Sequence, residues 1–184
     1  MAISDRIITR ALLVNLGTRI VNIIKLRTLA GEFLPGSTGT SNYSTTPMPL
    51  PLGALPARFR TPRKLRQLVD DGEARIFSSR SRRAWIVLTG GYKRFRQLAG
   101  RESDHVTLNW SGSMMRNLKV IRVNTSEAEV VVGFNEGRAA RLASYHHAQG
   151  AGKARVTHKF LGLTDAELAL LEPEVLNAVR IAEA

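Results

Sequence analysis

Adjacent His146 and His147 are the only histidine pair in the chain, and the other two histidines, His105 and His158, join them only through the fold. A metal needs several ligands converging on one point, whereas neighbouring helical residues point about 100 degrees apart. We therefore expect no metal site and a surface or interface role for the pair. Acid–base or nucleophilic catalysis needs a shifted carboxylate, a histidine or an activated nucleophile in a pocket. The acids gather instead in the C-terminal tail, where Asp165, Glu167, Glu172, Glu174 and Glu183 read as a solvated helical face. The sequence has no glycine-rich phosphate loop followed by Lys-Ser/Thr, no nucleophile elbow and no His-Glu-x-x-His. The expectation is a non-enzyme without cofactor or metal.

The second chemical feature is positive charge. Twenty-seven Lys and Arg against fifteen Asp and Glu give +12 over 184 residues. Thirteen of the cations, but only Asp70, Asp71 and Glu73 of the acids, fall between Arg58 and Arg101. Within it Arg80, Arg82, Arg83, Lys93, Arg94 and Arg96 are interleaved with Trp85, Tyr92 and Phe95. Cations that meet phosphates and aromatics that stack on bases suit nucleic acid. The same residues serve equally as contacts to another subunit, with Trp85 in the core. A basic middle and an acidic end also suit head-to-tail contact between identical subunits.

These side chains must be positioned by a chain large enough for one core, and lacking cysteine it is held by packing alone. Apolar residues from Ser4 to Leu29 recur at helical spacing and predict one long amphipathic helix, capped by Ser4 or Asp5 and ended by Gly31. Its apolar run, Ala11 to Thr18, is far short of the roughly 18 to 20 residues that cross a bilayer, so no transmembrane helix is expected, and no membrane is expected among the partners. Residues 31–62, rich in Gly, Ser, Thr and Pro, predict an extended arm without regular structure. Residues 63–184 then predict a single core domain. Its elements are a helix over Pro62–Val69, a strand over Ala84–Leu88 and a helix over Tyr92–Leu98. Strands follow at Val106–Trp110, Asn117–Val123 and Ala128–Phe134, the last two joined by Asn124-Thr125-Ser126. A helix over Arg138–His147, with Leu142 and Tyr145 on one face, precedes a last helix from Thr164, where Thr164 and Glu167 have capping-box spacing. The fold class is α+β: an antiparallel β-meander packed with helices, a long N-terminal helix and an extended Pro/Gly-rich arm.

Three pieces of this second half stand out. They are Trp110-Ser111-Gly112-Ser113-Met114-Met115-Arg116-Asn117-Leu118, then Tyr145-His146-His147-Ala148-Gln149-Gly150, then Lys159-Phe160-Leu161-Gly162-Leu163-Thr164. Each has a local reading: Ser111-Gly112 permits a sharp turn, Tyr145 buries a ring with its hydroxyl bonded, and Phe160, Leu161 and Leu163 plug the core before a capped helix. Taken in order, they resemble the phage virion morphogenesis family, the tail-completion and neck proteins of tailed bacteriophages. Lys159 stands where that family usually has proline, and the 31–62 segment is longer than the family's. The resemblance implies a structural α+β subunit, without enzyme activity, that assembles as a homo-oligomeric ring. It implies neighbouring head–tail connector, adaptor or tail proteins as partners, DNA close by, assembly in the host cytoplasm and a final place in the virion neck or tail. The alternative is a basic nucleic-acid-binding module of the ribosome-associated type.

Overall fold

The computed structural model describes residues 9–78, 84–109, 111–150 and 155–183. The fold is α+β, with two small antiparallel sheets. The chain forms two compact units, one of Met1–Gly39 with Thr107–Ala184 and one of Thr40–Val106. This differs from the expected division into helix, arm and a single 63–184 core. The break at Val106 falls between apolar and polar residues with no Pro- or Gly-rich linker to mark it.

The first unit is built on helix α1, Arg10–Leu29. The helix starts later than the periodicity suggests because Thr9 is extended (φ −81°, ψ 152°) and its hydroxyl accepts from the Leu12 amide at 3.2 Å; the expected caps at Ser4 and Asp5 lie outside the described residues. It ends as expected at Gly31, whose φ of 79° lets Gly31 and Glu32 donate back to the Thr28 and Arg27 carbonyls. At 1.5 Å per residue it is about 30 Å long. Its inner stripe is Leu13, Gly17, Val21, Ile24 and Thr28, while Leu26, expected on the apolar side, is exposed.

This stripe lies on a hairpin of β4, Lys119–Asn124, and β5, Glu129–Gly133, paired antiparallel with an irregularity between Val120 and Arg122; strands β1, β2 and β3, at Met48–Pro51, Ala74–Ser78 and Ala84–Leu88, belong to the second unit. The Asn124 side-chain oxygen accepts from the Ser126 amide and hydroxyl, which fixes the predicted turn. Gly17 sets how closely helix and hairpin approach, since a Cβ there would sit 2.7 Å from methyls of Val120 and Val130. Both are stiff β-branched side chains on a sheet. Gly17→Ala is therefore expected to destabilise the protein by about 1–3 kcal/mol, despite alanine's better helix propensity. A gain in the urea midpoint would overturn that account of the contact.

The predicted strand at Val106–Trp110 does not form over its described residues, so there is a hairpin rather than a meander. Leu108 has φ 50° and the Val106 amide is spent on the Ser41 carbonyl, which together end any ladder. A short helix that the sequence reading missed, Ser113–Arg116, follows instead. The helix Arg138–Ser144 runs on into a π-helical turn, Tyr145–Gln149. Helices Asp165–Ala169 and Glu172–Glu183 end the chain, the first opened by the expected Thr164–Glu167 capping box. The unit's core is Val21, Ile24, Met114, Met115, Leu118, Ala143 and Phe160.

The second unit is a three-stranded sheet in the order β1-β3-β2, formed by Met48–Pro51, Ala84–Leu88 and Ala74–Ser78. The Pro-rich segment is thus not free of regular structure. Pro49 and Pro51 are tolerated because β1 is an edge strand and both prolines share one parity along it. Helix α2, Pro62–Asp70, is capped by the Thr61 hydroxyl, and helix α3, Gly91–Leu98, follows β3. Both cover the sheet face that carries Leu50, Ala74, Ile86 and Leu88, closing a core with Leu55, Leu68 and Leu98. Gly91 is forced: its φ is 60°, and a Cβ would collide with the backbone of Thr45 and Thr46.

Candidate functional site

The three sequence pieces, far apart along the chain, meet in the first unit. Gly112, at φ 74°, turns the chain into the short helix that buries Met114 and Met115, and Leu118 follows them into the core. Arg116 stays outside and donates to the Ser111 carbonyl at 3.1 Å. Trp110 lies outside the described residues. Phe160, fully buried, packs edge-on against Phe134 and His147, with Leu161 and Leu163 beside it. Gly162 adopts φ 132° and Gly150 φ 82°, and at Gly150 a Cβ would run into the Arg155 backbone. Tyr145 departs from expectation: it is 51% exposed and Leu142 is exposed too, so this helix enters the core through Ala143.

His146 and His147 are each half-buried, and with His158 they join segments of the first unit. His147 Nδ1 accepts from the Phe160 and Leu161 amides, both at 3.2 Å, so that nitrogen carries no proton. The His146 carbonyl accepts from the His158 amide at 2.7 Å, and the buried His158 ring packs edge-on against Phe33. Around them residues 34–39 are zipped to 157–159: Leu34 donates to the Lys159 carbonyl, Thr38 to that of Thr157, and Lys159 to the Ser37 hydroxyl. Among the described residues no group of three or more His, Asp or Glu is placed to hold a metal ion.

Desolvation, and after it the neighbouring His158, lowers the His146 pKa below the ordinary 6.5; desolvation and then Lys159 lower that of His147. Unfolded chain therefore takes up protons at a higher pH than folded chain does. Stability should be greatest above about pH 7 and fall as pH drops through about 6.5 towards the lower folded values, levelling below them. Denaturant midpoints from pH 8 to 5 test this, and a midpoint flat from pH 7 to 5 would refute it.

Sequence reasoning missed Arg27. It sits 8% exposed in α1, paired with Glu167 and donating to the carbonyls of Phe160 at 2.7 Å and Gly162 at 3.0 Å. Glu167 meanwhile accepts from the Thr164 amide at 2.7 Å. Glu174 pairs with Arg19, so two of the five acids read as a solvated face are spent inside the unit.

The second unit spends part of its basic cluster in the same way. Arg94 pairs with Glu73, and Arg96, 2% exposed, donates to the Glu102 carbonyl and lies 4.3 Å over the Tyr43 ring. Lys93 is half-buried, with its amide bonded to the Ser44 carbonyl. Arg80, Arg82 and Arg83 lie outside the described residues. Trp85 points away from the core, on the opposite face of β3 from Ile86 and Leu88. Among the described residues no helix is long and apolar enough to cross a membrane. No protein-family model, curated protein or solved structure matches this chain.

Proposed function

We propose that this chain is a non-enzymatic structural protein of a tailed-bacteriophage particle, a ring-forming neck or tail-completion subunit that joins head and tail during assembly. The observation that carries the reading is the meeting of Ser111–Leu118, Tyr145–Gly150 and Lys159–Thr164 around Phe160. The ordered pieces that resemble the phage family belong to one packed module, as a shared architecture requires. Exposed Leu26, Leu168, Leu170 and Leu176 add apolar surface of the kind that subunit contacts cover. Partners under this reading are further copies of the chain and neighbouring connector, adaptor or tail proteins, with assembly in the host cytoplasm and a final place in the virion.

Negative-stain images of the purified protein at high concentration and low salt are expected to show symmetric rings, and antibodies to the chain to label the particle neck or tail. Uniform monomers with no particle association would sink the proposal. The alternative of a ribosome-associated basic module loses weight because Arg94 and Arg96 are committed to partners inside the unit.

A further inference from the structure

Among the described residues, the sheet of the second unit has its helices on one face: Leu65 and Leu68 of α2 and Phe95 and Leu98 of α3 join the core on the side of Ile86 and Leu88. The strand register sets two rows on the other face, Pro51–Trp85–Phe77 and Pro49–Val87–Arg75. Phe77 is 45% exposed and Trp85 half-buried, on adjacent strands and directly opposed. Arg75 is exposed, with no ion-pair partner among the described residues, and no acid stands in either row. Two aromatic faces beside a free guanidinium are an unusual surface to leave to solvent.

The charge of the unit as a whole has the same sense. Residues 40–106 hold thirteen Lys or Arg against five acids. Of those acids Glu73 is taken by Arg94, and the Glu102 carboxylate accepts the Ser103 and Asp104 amides. In the acidic tail of another copy, Glu167 and Glu174 are already paired.

We propose that this outer face binds single-stranded nucleic acid, with bases stacking on Phe77 and Trp85 and a backbone phosphate meeting Arg75. Stacking needs unpaired bases whose faces are free, which a duplex does not offer, and it tolerates any sequence because every base has a π-face. An acidic peptide would use the cation and gain little from flat rings. Arg80, Arg82 and Arg83, between these strands in sequence, lie outside the described residues and form no part of the surface argued. The site stands independently of the virion reading.

The test is fluorescence anisotropy of the full-length protein with labelled oligo(dT) and oligo(rU) of about 20 nucleotides, from roughly 50 to 200 mM salt. The two strands show whether DNA or RNA is preferred, and binding of either supports the site if the variants behave as follows. Phe77→Leu should weaken binding on the order of tenfold, and Phe77→Tyr should restore it, because the ring rather than its apolarity is used. Arg75→Gln should flatten the log–log salt dependence by about 0.7. Phe77 and Arg75 are exposed, so these variants keep the fold, which circular dichroism verifies. Failure to bind either strand, equal affinity for a duplex of the same length, equal competition by polyglutamate, or an unchanged Phe77→Leu affinity would each overturn the proposal.

Discussion

Arg27→Met is expected to destabilise the protein by about 3 kcal/mol, because it strips a largely buried carboxylate of its counter-charge. Arg27 and Glu167 have side chains only 7% and 15% exposed. Removing the guanidinium also leaves the Phe160 and Gly162 carbonyls without that donor. Glu167→Gln should cost less, since an amide oxygen can still accept from Thr164 and Arg27 keeps two carbonyls. The double replacement Arg27→Met with Glu167→Leu should recover part of the single loss, because a pair removed together leaves no isolated charge. A double-mutant cycle on urea unfolding measures the coupling. Simple additivity of the two losses would show that the pair does not latch α1 to the C-terminal turn.

Phe160→Ala should cost a comparable 3–5 kcal/mol by a different route. The ring is fully buried and meets two others edge-on, so truncation removes its transfer energy and leaves a cavity that Phe134 and His147 border. Phe160→Leu should recover much of the loss, as more of the volume is filled. Hydrogen exchange locates the effect: amides of α1 and β4–β5 should lose protection in Phe160→Ala, while those of β1–β3 keep theirs. Equal loss in both units would mean that they unfold as one body, contrary to the two separate cores.

Where the determinants were local, the sequence was legible. The Ala84–Leu88 strand, the Asn124 turn, the Gly31 helix end and the Thr164–Glu167 box each rest on a few neighbouring residues. Strand β1 was hidden because proline argues against a strand until an edge position is known. Strand β2 reads Ala-Arg-Ile-Phe-Ser and buries only Ala74, so no alternation announces it. Val106–Trp110 misled in the other direction, offering strand-like residues where Leu108 turns left-handed. At the candidate site the apolar plug was readable, whereas the role of Arg27 was not. A buried arginine looks like a surface one until its partner, 140 residues away, is placed beside it.

The first unit is completed on both sides of the second, and this has a consequence for biosynthesis. Helix α1 leaves the ribosome with Val21 and Ile24 uncovered, and the hairpin that shelters them ends only at Gly133. At about 5–20 residues per second, the N-terminal helix waits roughly 5 to 20 seconds for its other half. Residues 40–106 contain all three of their strands and can fold during that wait. Nascent chains stalled before residue 119 should therefore hold a protease-resistant middle and a helix that chaperones can seize, an order of maturation set by the inserted unit.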